Sequence, residues 1–549
     1  MTMDSPATGR AGRRARKHQT WIALGVASIV AAMLPLQAAA QIEVKPEPTQ
    51  KQAPADVKIE NGAIQLGLDQ AIAIALRHNL ALVSERYNRQ QSEFRISGAQ
   101  GIYDYTGTVD ASASSSTTPS ASTLTGARIQ QNKNERFNLG LSRLLPTGGT
   151  ASVALNNSRF STNNRFQTLN PEYDTSFQLT FQQPLLRDFG RMSTEHQIDV
   201  ARTNFDISKQ QFTAQVISTV QQVEDAYWNL VDAQDQLKVA EEALQLAKEL
   251  HEQNKIRVKV GTLAPLELVQ SEVGVAEKQE GIIAAQSQVG DAADALRSLL
   301  NLQGDRLWSV PIDPVTKAEA ATKKIDVEEA IQTALKNRPE VRSQELTIEN
   351  LKLDSRYYHG QLKPRLDLNV NYGYSGIGGP ATVRDFLTGE IISQAPGSYN
   401  DALRQVERAD FLGWTVGLNL TVPLQNRAAR AQSAVADSAL DQGKAHLRDL
   451  ELQVTTGVRT AARQVETAAQ QIASAKISRQ LAEKNLDAEK KKYDNGMSTS
   501  YQVLQIQDDL TQARSREASA ITGYRKALVA YYSAIGRLLE ENKIKVVGK

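Results

Sequence analysis

The chain has 549 residues, no cysteine, only 5% aromatic residues and a formal net charge of +2. That length is far beyond one compact core, so several domains or an elongated architecture are expected. The absence of cysteine excludes disulfides, thiol catalysis and Cys-ligated zinc. Long tracts of Ala, Gln, Leu and Ser suit extended helices with thin seams better than a fat globular core.

The first forty residues differ from the rest. A basic run (Arg10, Arg13, Arg14, Arg16, Lys17) precedes the apolar WIALGVASIVAAMLPL and then QAAAQ, with Ala38 and Ala40 before a cut at about Gln41. This is the layout of a secretory signal; the bland alternative is an N-terminal membrane anchor. No cysteine follows the apolar run, so a lipid-anchored lipoprotein is excluded. Beyond residue 40 the chain carries 58 basic against 60 acidic side chains, a net charge of −2. The basicity belongs to the leader, and no nucleic-acid footprint is expected. No later segment has the roughly 18 consecutive apolar residues of a transmembrane helix. The remainder is therefore either soluble outside the cytoplasm or enters a membrane as strands.

Residues 41–63 are Pro- and Gln-rich without periodicity and read as a flexible lead-in. Then LGLDQAIAIALRHNLAL (Leu66 to Leu82) reads as a helix with Ala71, Ile72, Ala75 and Leu76 on one face. IDVEEAIQTALKNRPEV (Ile325 to Val341) repeats it 259 residues later, with Ala330, Ile331, Ala334 and Leu335 in the same places. FQLTFQQPLLRDFGR (Phe177 to Arg191) is matched by VGLNLTVPLQNRAAR (Val416 to Arg430), Pro184 over Pro423, at an offset of 239. IRVKVGTLAPLELVQ and KKYDNGMSTSYQVLQ place Gly261 over Gly496 at an offset of 235. Three blocks in one order mean an internal duplication trimmed by indels. The first repeat spans 64–310, a linker 311–324, the second repeat 325–540, and a short tail 541–549.

Six runs alternate with period 2: Tyr103 to Ala111, Phe137 to Leu144, Ala151 to Asn157, Phe177 to Gln182, Leu366 to Ser375 and Trp414 to Val422. Each reads as a strand of barrel-spanning length with one apolar face. PTGG (Pro146 to Gly149) is a tight turn, whereas other links are long and polar, an asymmetry typical of membrane barrels. Elsewhere the period is helical, from about Arg191 to Arg257 and from about Asn426 to Tyr493, each on the order of 100 Å at 1.5 Å per residue. Val216, Val220, Val223, Tyr227, Leu230, Leu237 and Leu244 form a seam interrupted by Gln234 and Glu241. Each long helix meets its glycine and turns back, with tips near 258–264 and 493–499. Pro265 suits the first turn of the returning helix, and Ser498 or Thr499 the cap of the other. Few strands cannot close a lipid-spanning barrel alone, so the sheet must be shared among subunits in cyclic symmetry.

LDQAIAIALRHN and VEEAIQTALKNRP, QPLLRDFGR and VPLQNRAAR, and the tips RVKVG and KYDNG give the chain its resemblance to the TolC-like outer-membrane efflux proteins, from Leu66 to about Leu539. The resemblance implies an α+β membrane protein: long helical hairpins forming an α-barrel and a transmembrane antiparallel β-barrel shared by a homotrimer. It implies an outer-membrane location in a Gram-negative bacterium, reaching into the periplasm. The implied partners are outer-membrane lipid, a periplasmic adaptor (membrane fusion) protein and an inner-membrane pump of the RND, ABC or MFS type. The family's barrel has twelve strands, four per chain. Six runs here are a departure, and the surplus PTGG hairpin, Phe137 to Asn157, is expected to pack outside a twelve-stranded barrel rather than to widen it to eighteen.

By resemblance, Arg257, Tyr493 and Asp494 hold the tunnel shut at the tips. Some members place two aspartates after the second tip; here Gln502 and Gln505 stand there, so an acidic ring at that level depends on Glu267 and Asp509. Gly261, Thr262, Leu263, Gly496, Met497 and Ser498 are assigned to adaptor docking, and Pro184, Arg191, Pro423 and Arg430 to strand-to-helix junctions. The six histidines (His18, His78, His196, His251, His359, His446) show no metal spacing. GIGG near Gly376 lacks a following Lys-Ser/Thr and reads as a loop. No enzyme activity, cofactor or metal is expected. The function read is passive export of an unnamed cargo; the alternative is a secreted or surface coiled coil with a structural or adhesive role. A periplasmic adaptor is disfavoured because no lipoyl-like domain flanks a hairpin.

Overall fold

The computed structural model describes residues 59–60, 62–120, 128–302, 305–318, 324–385 and 388–545. The expected signal segment and most of the lead-in lie outside these residues. In chain order, β1 (Ile59–Glu60) and β2 (Ala63–Leu66) precede α1 (Leu68–His78) and α2 (Leu80–Gln100). Strands β3 (Thr106–Pro119), β4 (Ile129–Leu144), β5 (Thr150–Thr162) and β6 (Glu172–Pro184) follow. A short α3 (Arg191–Thr194) leads into the long α4 (His196–Lys259) and its return α5 (Pro265–Leu300). After α6 (Asp305–Ser309) and β7 (Ile312–Pro314), the plan restarts with α7 (Val327–Asn337), α8 (Pro339–Gly360) and β8 (Arg365–Gly378). A hairpin β9 (Ala381–Arg384) and β10 (Ile391–Ala395), helix α9 (Tyr399–Glu407) and β11 (Phe411–Thr421) come next. The chain ends with α10 (Arg427–Asp494), α11 (Ser500–Ala534) and α12 (Leu538–Glu541).

Two segments expected as single helices are each broken in two. Leu66 belongs to β2, and α1 stops where the Asn79 side chain accepts from the Ala81 and Leu82 N–H groups and so caps α2. At the matching place, 259 residues on, Pro339 opens α8, since its ring would clash inside a continuous helix. Asp326 caps α7 by accepting from the Glu328 and Glu329 N–H groups. The segment read as a linker contributes β7, which runs parallel beside β2 from Ile312 to Pro314.

The long helices have the expected lengths, 64 residues in α4 and 68 in α10, about 100 Å each. Val216, Val220, Val223, Tyr227 and Leu230 of the seam are buried against α1 and the β2–β7 strands. At the polar break, Gln234 donates to the Ile312 carbonyl at 2.9 Å, so the seam's interruption ties the helix to the linker strand.

The six period-2 runs form one antiparallel sheet in the order β11-β8-β6-β5-β4-β3. This overturns the expectation that the PTGG hairpin packs outside. β4 pairs along its length with both β3 and β5, and β5 with β6, so the hairpin occupies the middle of the sheet. The physical reason is continuity of its faces. Val109, Leu139, Leu155, Phe177, Tyr374 and Leu412 stand side by side across all six strands. Leu141, Val153, Leu179, Tyr372 and Trp414 form the next apolar row. On the opposite face, one residue beyond the first row, runs the polar row Asp110, Asn138, Asn156, Ser176 and Ser375. Ejecting β4 and β5 would strip the ladder from β3 and cut both rows.

The strands outrun the alternating patterns. β3 and β4 continue through the polar SSSTTP and IQQNKN stretches, which the sequence pattern reads as loop. The PTGG turn lies on the helical side, where the Gly190 N–H donates to the Thr147 carbonyl at 2.9 Å. The long links lie at the other end. There α9 lies on the apolar side of the sheet: a Cβ on Gly376 would come within 2.1 Å of the Ala402 carbonyl oxygen, so only glycine admits this approach. Tyr399 fastens it by donating to Asn157 Oδ1 at 2.8 Å.

Candidate gate at the hairpin tips

Both hairpins end by the same local rule. The Thr262 N–H donates to the Arg257 carbonyl at 2.9 Å, and the Met497 N–H to the Lys492 carbonyl at 2.9 Å. These are the six-to-one bonds of Schellman caps, with Gly261 at φ +80° and Gly496 at φ +73° in the left-handed position. Pro265 starts α5 without losing a bonded N–H, and the Thr499 hydroxyl caps α11 by accepting from the Gln502 N–H at 3.3 Å. The caps, the left-handed glycines and the return helices all recur at an offset of 235 residues.

The two tips touch. Arg257, at the end of α4, donates from Nη1 to the Tyr493 carbonyl at 3.1 Å and from Nη2 to Asp494 Oδ1 at 2.7 Å. Its guanidinium also lies over the Tyr493 ring, 4.6 Å from the centroid. The carboxylate side of this ion pair is exposed and the guanidinium half-buried. The sequence-predicted trio is thus brought together, and it joins the first repeat to the second.

Beneath it lies a polar cluster that the sequence reading does not contain. Asn254 is 0% exposed, Ser500 0% and Tyr493 3%. The Tyr493 hydroxyl donates to Asn254 Oδ1, and Asn254 Nδ2 donates to Ser500 Oγ at 2.9 Å. Glu267 takes a different place from the one expected: its Oε2 accepts from the Ser500 N–H at 3.0 Å, at the positive N-terminus of α11. Leu250, Leu486, Val503 and Leu510 pack below, with Tyr493 in the same cluster. A sequence signal for Asn254 existed: with Ala247 and Leu250 it keeps the 3/4 spacing of buried positions, as a polar residue in an apolar seam.

Of the other expected gate residues, Gln502 accepts from the Ser498 hydroxyl at 3.0 Å. Gln505 and Asp509 lie exposed further along α11 and take no part in the cluster. Ser498 also donates to Glu489 Oε1 at 2.5 Å, and Lys492 Nζ to Glu489 Oε2 at 2.8 Å. The Lys492 ammonium and then the Ser498 hydroxyl hold the Glu489 carboxyl below its ordinary range. Gly261, Thr262, Gly496 and Met497 are exposed, Met497 at 70%, while Leu263 and Ser498 are half-buried. Exposed Ile256, Val260 and Leu266 extend this apolar surface around the first tip.

The junction residues lie far from the tips. Pro184 closes β6 opposite Asp367, and Arg191 opens α3 and donates from Nε to Glu195 Oε1 at 3.0 Å. Pro423 follows β11, and the Arg430 N–H donates to the Asn426 carbonyl in the first turn of α10. Among the described residues no group of three or more acidic, His or Cys side chains is placed to hold a metal ion. No helix among them is long and apolar enough to cross a membrane.

The described residues thus form a six-stranded sheet with apolar rows on one face, feeding two long helical hairpins whose tips touch. The sequence matches the family described as outer membrane efflux protein over residues 108–302 and 330–537, and the chain belongs to that family. Its members are passive outer-membrane channels, not enzymes. Among solved structures, the fold is similar to the outer-membrane channel OprN at 17% identity and TM-score 0.62, covering 85% of this chain and 89% of that one. It is also similar to the Campylobacter jejuni CmeC outer membrane channel at 16% identity and TM-score 0.58, covering 90% and 91%. A third is the outer membrane protein VceC of Vibrio cholerae at 16% identity and TM-score 0.60, covering 85% and 96%. No curated protein matches the sequence.

Proposed function

We propose that this chain is the outer-membrane exit duct of a tripartite efflux or type I secretion system in a Gram-negative bacterium. Three copies form the channel, and it is gated at its periplasmic tips. The observation that carries this reading is the sheet: six strands, two apolar rows crossing one face, and two edges, on β3 and β11, without a partner strand among the described residues. Free edges are not tolerated in lipid. Pairing β3 of one copy with β11 of the next removes them, and the alternation of strand direction makes that pairing antiparallel. Three sheets closed in this way give an eighteen-stranded barrel, wider than the family's twelve, because barrel diameter grows with strand number. From Leu366 to Tyr374 the apolar face spans nine residues, roughly 30 Å of strand at about 3.3 Å each, the length that a tilted transmembrane strand needs.

The tips then face an adaptor in the periplasm, which docks on the exposed surface around Gly261, Thr262 and Met497. An inner-membrane pump supplies the driving force. Arg257, Tyr493 and Asp494 hold the closed state. The test is single-channel conductance of the purified protein in planar bilayers, wild type against Arg257→Ser/Tyr493→Phe. A small conductance that rises sharply in the double variant supports the reading. No conductance from folded protein in either form returns the chain to the surface coiled-coil alternative.

A further inference from the structure

We propose that Asn254 is a second, buried latch of the hairpin tips, acting in series with the exposed Arg257–Asp494 pair; this rests on the gate reading above. Asn254 sits where all four long helices meet. It projects from α4, its Nδ2 lies 3.5 Å from the Glu267 carbonyl of α5, its Oδ1 accepts from Tyr493 of α10, and its Nδ2 donates to Ser500 of α11. The cluster therefore spans both hairpins, and the tips cannot part without breaking it.

The two latches differ in physics. The Arg257–Asp494 pair lies at the surface, where dissolved ions weaken it. The Asn254, Tyr493 and Ser500 side chains are uncharged and buried, so salt acts on the bonds among them far less. Parting the hairpins leaves an amide and two hydroxyls without partners beside Leu250 and Val503 until water enters. Tyr493 belongs to both latches: its ring lies under Arg257 and its hydroxyl on Asn254. Loss of the surface pair alone then leaves the tips mostly closed, and opening becomes complete when the amide also goes.

The experiment measures trimer conductance, normalised to bulk conductivity, at about 0.1 M and about 1 M KCl, where screening lengths differ about three-fold. Wild type, Arg257→Ser, Asn254→Ala and the double variant are compared, with assembly checked by crosslinking. The expected result is a rise with Arg257→Ser that shrinks at high salt. Asn254→Ala gives a rise of the same fold at both salts, and the double variant exceeds the product of the single effects. Ser500→Ala, which removes one hydroxyl, reproduces part of the Asn254 effect and is read instead if Asn254→Ala does not assemble. Assembled Asn254→Ala or Ser500→Ala trimers that conduct like their parents in both backgrounds overturn the proposal and leave the surface gate standing. Opening by Asn254→Ala with a silent Arg257→Ser keeps Asn254 as the latch and overturns the surface pair's role instead.

Discussion

Arg257 holds Tyr493 in two ways at once, with its guanidinium carbon 4.6 Å from the ring centroid and its Nη1 3.1 Å from the carbonyl of the same residue. A planar, forked cation is needed to stack on the ring while donating to both the carbonyl and Asp494.

Lysine at this position keeps the charge and loses the fork and the stacking. Arg257→Lys is expected to weaken closure by about 1 kcal/mol, from the lost cation–π contact and one charge-assisted bond. In bilayer recordings its conductance should fall between wild type and Arg257→Ser. Wild-type behaviour of the lysine variant would reduce the contact to simple charge pairing.

The two tip glycines offer a cleaner test of the caps. Both lie in the left-handed region, and a Cβ on either would meet nothing within 4 Å. The cost of Gly261→Ala or Gly496→Ala is therefore backbone strain alone, about 1 kcal/mol each. Faster amide exchange confined to 258–264 or 493–499, with the sheet unaffected, is the expected outcome. Exchange spreading down α4 or α10 would mean that the caps stabilise more than their own turns.

Much of this architecture was legible in the sequence because periodicity reports faces. Trp414 to Val422 alternates because Trp414, Val416, Leu418 and Leu420 share one face of the sheet and Thr415, Gly417 and Asn419 the other. SSSTTP of β3 escapes the pattern because it is polar on both faces, which leaves no alternation to read. The breaks at Asn79 and Pro339 were missed because the helical period is the same on both sides, and only the cap and the proline mark them. The place of the PTGG hairpin depends on whether β4 and β5 join the ladder of β3 and β6, and the alternation within one strand does not report its neighbour. At the tips, Arg257, Tyr493 and Asp494 were read by resemblance. Asn254 and the capping role of the Glu267 carboxylate required knowing which helices cross.

The assignment of sheet faces predicts an asymmetry between neighbouring positions. Leu368 lies on the apolar face of β8, whereas Asn371, three residues on, lies on the polar face and its Oδ1 accepts from Thr180 at 2.9 Å. Leu368→Arg should cost about 2–4 kcal/mol in the membrane and sharply reduce outer-membrane yield. Asn371→Arg, on the water-filled side, should assemble normally. Equal yields of the two variants would mean that the apolar face does not meet lipid.

Away from both membrane and tips, Glu224 of α4 is buried, 5% exposed, with its Oε1 accepting from Asn542 Nδ2 at 2.7 Å. Burial pushes its carboxyl up to about 7 from an ordinary 4.5; the Asn542 bond opposes the rise, and the Asp225 and Asp69 charges add to it. An acid whose folded value is raised binds its proton more tightly in the folded state. The fold therefore carries no penalty at pH below about 4.5, a growing one between there and about 7, and a constant one above. Glutamine keeps the acceptor for Asn542 and removes the charge. Glu224→Gln should raise stability at alkaline pH by up to about 3 kcal/mol, at about 1.4 kcal/mol per pH unit, and leave it nearly unchanged near pH 4.5. Thermal melts of both proteins across that range check the sign, because a gain that is greatest in acid would mean the carboxylate is stabilised, not penalised, in the folded chain.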